Sequence, residues 1–395
     1  MDVKTPIYMD HNATTPLDSR VLDAMMPYLT EAFGNAASHS HSFGWKAEAA
    51  VETAREQIGK IIAAEAKDMV ITSGATEANN LAIKGVAEMY AEKGRHIITS
   101  AIEHHAVLDP CKYLAQHGYT ITFLKPDKFG VVSAEQVAAA LTDGTILISI
   151  MAANNEIGTL APVAQIGALA KSKGVLFHSD ATQAVGKVHL DVEAMGIDLL
   201  SMSAHKLYGP KGVGALYVRR RNPRVKLACQ MHGGGHERGM RSGTLNVPGI
   251  VGFGKACQIA AEEMTADAAR IAALRDRLEK GIMSAVDFVT LNGHPTQRLP
   301  NTLNLSFAYV EGEALMLKMR DVAVSTGSAC TSASLEPSHV LAGIGVGDDL
   351  AHSSLRFSLG KSTTEGEVDY VIAKVVTAVQ QLREMSPLYE IATKK

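Results

Sequence analysis

Five segments carry residue types that can act together on a small molecule. Ser73-Gly74-Ala75-Thr76-Glu77 is a small, glycine-containing turn that opens a helix. Such a turn offers free N–H groups and the positive end of a helix dipole, which suits a phosphate. It also fits an ordinary helix start with Thr76 as the cap. Ala101-Ile102-Glu103-His104-His105 holds a histidine pair, readable as metal ligands, a stacking residue or a solvated surface. Asn154 and Asn155, in Ala153-Asn154-Asn155-Glu156-Ile157-Gly158-Thr159, are turn formers or ligand hydrogen-bonders. Asp180, in His178-Ser179-Asp180-Ala181-Thr182-Gln183, directly follows an apolar run. A carboxylate there is costly to bury unless it faces a cation, and the alternative is a helix cap. Lys206, in Ser203-Ala204-His205-Lys206, ends another apolar run among small residues. Desolvation there would free its lone pair for Schiff-base formation, whereas a surface-loop lysine fits the flanking Gly209-Pro210 less well. No single segment decides. A phosphate cup, an aspartate for a ring nitrogen and a lysine amine are together what pyridoxal 5'-phosphate requires.

These residues act together only if the fold gathers them at one edge. Apolar β-type runs stand at Asp68–Thr72, His96–Ser100, Thr120–Leu124, Ile146–Met151, Val175–His178, Leu199–Met202 and Gly214–Val218. Helical stretches lie between them, at Ala47–Ala64, Glu77–Glu92, Ala106–Gln116, Ala134–Leu141 and Ala161–Lys173. The alternation predicts an α/β fold with a mostly parallel seven-stranded sheet covered by helices. In such sheets ligands sit beyond the carboxyl ends of the strands, where all five segments fall. From about Pro248 to Ala285 the sequence turns long-helical, charged over Ala256–Leu278; this connecting helix leads to a smaller α/β domain with strands at Thr302–Phe307, Val322–Ser325 and Ser354–Ser358, closed by a helix near Gly366–Met385. The expected division is a large domain over 15–262 and a small one built from 1–14 and 263–395.

Composition narrows the class. Of 395 residues, 46% are hydrophobic and 20% charged, which excludes a disordered chain. A net charge of -3 argues against nucleic acid or a membrane surface as partner. The residues from Met1 to Asp10 lack a basic segment followed by an apolar one, and no run approaches 18 apolar residues, so a cytoplasmic protein is expected. Four cysteines are too few for a disulfide scaffold. Cys111 and Cys257 lie in helical patterns and Cys229 follows an apolar run; all three read as buried, inert thiols. Cys330 differs: Ser325 to Ser338 is rich in Ser, Thr, Gly and Ala without periodicity, and reads as a mobile, solvated loop.

The motifs above, with Asp10-His11-Asn12-Ala13-Thr14-Thr15, Arg241-Ser242-Gly243-Thr244 and Ser325-Thr326-Gly327-Ser328-Ala329-Cys330-Thr331, resemble the cysteine desulfurases of the NifS/IscS group, in order and nearly end to end. The resemblance implies a fold-type-I, class-V-aminotransferase-like enzyme and a homodimer. It also implies removal of sulfur from L-cysteine, giving L-alanine and a persulfide passed to an iron–sulfur scaffold protein or another acceptor. Position by position, Lys206 resembles the Schiff-base lysine and Asp180 the partner of the pyridine nitrogen. His104 resembles the residue stacked on the ring, able to shuttle protons. Asn155 and Gln183 resemble the groups around the phenolic oxygen. Ala75, Thr76, Ser203 and His205 resemble the phosphate cup, which Thr244 completes from the other subunit. Asn35, Asn155 and Arg356 resemble the substrate-binding set, Arg356 and Asn35 clamping the carboxylate. Cys330 resembles the sulfur-accepting nucleophile and is the sole metal candidate, as a transient cluster ligand.

Some features depart from the family pattern. His11 stands where many relatives have Asn, Ala36 where Pro is usual, and the tail after Ser386-Pro387-Leu388-Tyr389 is short. The first two border the substrate entrance, and the third bears on how a scaffold docks. Other readings are a selenocysteine lyase, a class-V aminotransferase, a catalytically silent scaffold, or a metalloprotein built on His39, His41, His104 and His105. An aminotransferase needs no thiol such as Cys330, and a silent scaffold need not keep Lys206, Asp180 and Cys330 together. The HxH spacing has no acid or thiol beside it.

Overall fold

The computed structural model describes residues 3–326 and 337–394; Cys330 lies outside the described residues. After β1 (Ile7–Tyr8) come α1 (Ser19–Thr30) and α2 (Ser42–Lys60). Strand and helix then alternate through β2 (Met69–Thr72), α3 (Ala75–Met89), β3 (His96–Ser100), α4 (His105–Ala115), β4 (Thr120–Leu124), α5 (Ala134–Ala140), β5 (Thr145–Ser149), α6 (Val163–Lys173) and β6 (Leu176–Asp180). The strands β7 (Leu199–Ser203) and β8 (Gly214–Val218) complete the series. These seven form one sheet in the order β2-β8-β7-β6-β5-β3-β4. Only β8 runs against its neighbours; the other pairings are parallel. Every residue of β3, β5, β6, β7 and β8 is buried, as expected where helices cover both faces.

The remaining elements are α7 (Val247–Ala285), β9 (Val289–Leu291), β10 (Thr302–Phe307), α8 (Gly312–Lys318), β11 (Val322–Ala323), α9 (His339–Gly343), α10 (Asp348–His352), β12 (Ser354–Ser358), α11 (Glu365–Arg383) and α12 (Pro387–Thr393). β12, β10 and β9 form an antiparallel sheet, while β1 pairs in parallel with β11. Ile7 and Met9 therefore sit in an apolar cluster with Leu303, Leu305, Phe357 and Val375, apart from the cluster beneath the large sheet. α7 supplies Phe253 and Cys257 to the large-sheet cluster and Leu278 and Ile282 to the other.

α7 has 39 residues and matches the long-helical stretch expected from about Pro248 to Ala285. Its first turns carry Pro248, Gly249, Gly252 and Gly254, and two of these glycines serve contact: a Cβ on Gly254 would lie 2.7 Å from Ala54 Cα, and one on Gly252 would lie 2.5 Å from Met25 Sδ. One expectation is corrected. Cys229 is half-buried rather than buried, since residues 219–236 around it form no helix or strand. Cys111 and Cys257 are buried, and burial pushes the Cys111 thiol up to about 12, so neither is a nucleophile at neutral pH.

Candidate active site

A cavity of about 540 Å³ opens at the carboxyl ends of β2, β6 and β7 and at the start of α3. Ala75, Thr76, His104, Asn155, Asp180, Gln183, Ser203, His205, Lys206 and Arg356 all line it. A larger cleft of about 910 Å³ lies at the opposite ends of the strands, beside Thr145 and Leu176, and holds none of these residues. In open parallel sheets the carboxyl end is the ligand end, so the smaller cavity is the site.

The α3 end is built for an anion. Its N-cap is Gly74, at φ 154°, and not Thr76; no side chain caps the first N–H groups. They are left for a ligand, and the positive helix end favours a phosphate. Glu77 would oppose an anion, but its carboxylate is engaged: it accepts from Ser73 N–H at 2.7 Å and pairs with Arg241 at 2.7 Å. His205, which contacts Thr14 Oγ1 at 3.1 Å, is pushed down to about 4 by burial with Lys206, Lys211 and Lys187 nearby, so it is neutral.

Asp180 is buried at the end of β6. Oδ1 accepts from Thr182 N–H at 2.9 Å, so the capping alternative is realised, and Oδ2 accepts from Asn79 Nδ2 at 2.7 Å. Both donors are neutral, which leaves the carboxylate's charge for a cation in the cavity. Beneath it His178 lies fully buried between Ser149 Oγ at 2.8 Å and Ser201 Oγ at 3.0 Å, and burial pushes it down to about 4. Asp180→Asn should cut turnover at least about a hundredfold, the scale of losing one preorganised charge contact. Turnover within a few-fold of the parent, measured at saturating substrate, would leave Asp180 as a turn cap only.

Lys206 follows β7 on a single 3-10 turn, and its amine donates to the carbonyls of Asn12 and, at 2.7 Å, Ala13. Asn12 also reaches the second core, donating to Thr302 Oγ1 at 2.9 Å. His104 is the N-cap of α4; its Nδ1 accepts from Ala106 N–H at 3.0 Å. A backbone N–H only donates, so the ring proton of neutral His104 sits on Nε2. Burial lowers its pKa, favouring that neutral form.

Arg356 lies on β12; its guanidinium donates to Asn155 O at 3.0 Å and Asp10 Oδ1 at 2.8 Å, while its buried Nε is unpartnered. Asn155 Oδ1 is likewise buried and unpartnered. Both residues line the cavity, so a ligand there can satisfy these atoms. Asn35 is not brought to the cavity: it is exposed, and its side chain accepts from Ala37 N–H at 2.9 Å, within its own turn. Thr244 is also exposed and outside its own chain's cavity. Its segment is held by the Arg241–Glu77 pair and by buried Glu237, which pairs with Arg55 and accepts from Ile71 N–H at 2.7 Å. Asn12, Asn79 and Asp10 are site residues that the sequence reading did not assign. Asn12 and Asp10 stand in a quoted motif, and Asn79 sits one helical turn beyond the phosphate turn.

The histidine-metal reading fails. Among the described residues no group of three His, Cys, Asp or Glu can hold a metal ion. His39 is exposed beside Glu48, His41 caps α2 and His105 packs on His339.

A class-V aminotransferase fold is what this sheet, its helix-end anion site and the strand-end lysine define, and the aminotransferase class-V family model matches residues 7–371. The chain belongs to that family, in its cysteine desulfurase group. Over 389 residues it is 60% identical to the protein named cysteine desulfurase IscS of Anaeromyxobacter dehalogenans, covering 98% of this chain and 96% of that one. A solved NifS-like protein superposes with a TM-score of 0.88 at 40% identity, covering 95% of this chain and 99% of that one. A solved structure titled SspA in complex with cysteine does so with a TM-score of 0.80 at 38% identity, covering 89% and 98%.

Proposed function

We infer that this chain is a pyridoxal-5'-phosphate-dependent cysteine desulfurase that converts L-cysteine to L-alanine and delivers the sulfur as a persulfide on Cys330. The observation that carries this reading is the single cavity shared by an uncapped helix start, Asp180 and Lys206. The orphaned Asn155 Oδ1 and the cavity's size suit the cofactor. Identity to the relative named for this activity supports the substrate.

When bound, the cofactor supplies an electron sink for the substrate carbons. Ala75, Thr76, Ser203 and His205, with the first N–H groups of α3, hold its phosphate. Lys206 Nζ would hold its carbonyl carbon at rest and, once displaced by the substrate amine, would take the substrate's α-proton. Asp180 would keep a proton on the ring nitrogen. His104 would pack beside the ring, with its Nε2 proton available to give. Arg356 orients the substrate carboxylate, its other edge being fixed by Asp10. Cys330 thiolate would attack the substrate sulfur and form the S–S bond of a persulfide, while the Cβ–S bond breaks and leaves its electron pair with the substrate carbons; a proton at Cβ and return of the α-proton complete L-alanine. The persulfide passes to an iron–sulfur scaffold protein, in the cytoplasm; no helix among the described residues is long and apolar enough to cross a membrane.

The test is to give the purified yellow protein L-cysteine without added thiol and to count products. Alanine and protein persulfide should appear one to one in the first turnover. Selenide from L-selenocysteine with no alanine from L-cysteine would make the enzyme a selenocysteine lyase.

The working unit is a homodimer in which Thr244 reaches the partner's phosphate. An exposed apolar stripe supports this, with Leu22, Met26 and Leu29 on one face of α1 and Phe33 beyond it. Thr244→Ala should weaken cofactor affinity about tenfold or more, the scale of a hydrogen bond to a charged group. Mixed with Lys206→Ala subunits, it should regain activity, because each hybrid then holds one site with neither lesion. Hybrids that form yet stay inactive would put Thr244 in its own subunit's site.

A further inference from the structure

Lys187 is used by no step above, yet it touches the site from behind. The chain leaving β6 makes a helical turn, with Ala184 N–H and Val185 N–H both donating to Ala181 O at 2.9 Å. Gln183 and Lys187 are four residues apart on it and so stand side by side. Lys187 Nζ donates to Gln183 Oε1 at 2.8 Å, and Gln183 Nε2 donates to Asn12 O at 2.9 Å. Asn12 O is the same carbonyl that receives Lys206.

This arrangement has one consequence for the Gln183 amide. A side-chain amide has two nearly isosteric ends, and it points as its partners dictate. Here the Lys187 ammonium, a donor only, meets Oε1, and the Asn12 carbonyl, an acceptor only, meets Nε2, so together they turn Oε1 to Lys187 and Nε2 to the site. One Nε2 hydrogen goes to Asn12; the other belongs to a buried residue that lines the cavity.

Lys187 is not placed as an ion-pair partner. It is half-buried, lining a small cleft of about 40 Å³ with His11, Lys206, Tyr208, Asp267 and Lys361. Asp267 pairs with Lys361, and among the described residues no carboxylate pairs with Lys187. The charged groups that bear on it are Lys206 and Arg356, and with burial they draw its pKa below the usual lysine range. A lysine held at such cost, with its amine bonded to a neutral amide, is poorly explained as a stabilising charge.

We propose that Lys187 is a positioning residue of the desulfurase site: it fixes the Gln183 amide so that an N–H, and not a carbonyl oxygen, faces the cofactor. The proposal rests on the reading of this cavity as the cofactor site. An N–H there donates to the cofactor's phenolic oxygen, whereas a flipped amide would set two acceptors against each other.

The test uses Lys187→Met, which keeps the length and apolar stem but cannot donate, alongside Gln183→Ala and the double variant. Two readouts are taken on each protein: the dissociation constant for pyridoxal 5'-phosphate after stripping and reloading, and the pH midpoint of the visible band of the loaded protein. Lys187→Met should raise the dissociation constant roughly fivefold, the scale of one hydrogen bond. A donor withdraws electron density from the phenolic oxygen, so its loss should move the midpoint up by about half a unit or more. Adding Lys187→Met to Gln183→Ala should change neither readout further. Lys187→Gln, which can still donate but is shorter, should recover part of both losses and serves if Lys187→Met folds poorly. If the two losses multiply in the double variant, or Lys187→Met leaves both readouts unchanged while Gln183→Ala moves them, the positioning role is overturned and the cofactor reading stands. If Gln183→Ala itself moves neither, Gln183 does not touch the cofactor, and the reading of that residue falls with the proposal.

Discussion

Lys206→Ala is expected to give a folded protein that takes up no reducible colour and turns over L-cysteine on the order of 10⁴-fold more slowly or worse, as when a covalent catalytic residue is lost. The structure argues that the fold should survive. Lys206 is half-buried on a single 3-10 turn, and the strand before it packs through Leu199, Leu200 and Met202. The change removes donors to Asn12 O and Ala13 O, but the carbonyl of Asn12 keeps the Gln183 donor. A stability loss of about 1 kcal/mol is the scale for such an exchange. The check is borohydride treatment with cofactor present, followed by peptide mapping, with a thermal melt as control. The phosphate end of the site is untouched, so cofactor can still associate, but it should wash out. A borohydride-stable adduct on another lysine would overturn the assignment of Lys206.

Cys330→Ser should divide the two halves of the reaction. The residues proposed to hold the cofactor lie on or beside the large sheet, so the variant should be as yellow as the parent, and L-cysteine should still change its spectrum. Persulfide should be absent and alanine release should fall at least about a thousandfold, because a serine hydroxyl has neither the acidity nor the softness to take sulfur. A free thiol with a pKa near 8.5 is only a few per cent ionised at neutral pH, so parent activity should rise toward mildly alkaline pH. Turnover of Cys330→Ser at the parent rate with an ordinary thiol as acceptor would mean that sulfur leaves without a protein persulfide.

What could be read from the chain divides along physical lines. Strands His96–Ser100, Thr120–Leu124, Gly214–Val218, Thr302–Phe307 and Ser354–Ser358 have the predicted bounds, since each is an apolar or alternating run closed by a break. α1 was not foreseen: Pro27 lies inside it, and its apolar residues fall on two faces, Val21, Met25 and Tyr28 toward the core and Leu22, Met26 and Leu29 exposed, so no single apolar stripe marks it. α7 was legible from about Pro248 to Ala285 despite the glycines of its first turns, because the helical pattern runs on unbroken through them. The site was legible wherever a side chain projects from a strand end. It was illegible where backbone does the work, as with Asn12 O, and where a residue's meaning depends on a neighbour, as with Lys187. Asn35 lies outside the cavity of its own chain, with Oδ1 accepting within its own turn.

The pairing of β1 with β11 has a consequence for how the enzyme is made. Ile7 is matched with Val322, some 315 positions later. Translation at about 5–20 residues per second puts roughly 15–60 seconds between the emergence of the two partners. Through that interval the Asn12 carbonyl that receives Lys206 hangs on a tether with no strand to seat it, even while the large sheet can already close. A nascent chain therefore offers the ribosome's surroundings a sheet and a phosphate turn but an unfinished amine pocket. Pulse-labelled chains released before residue 322 should fail to retain the cofactor, which makes the last-synthesised fifth of the molecule the timer for the first-synthesised motif.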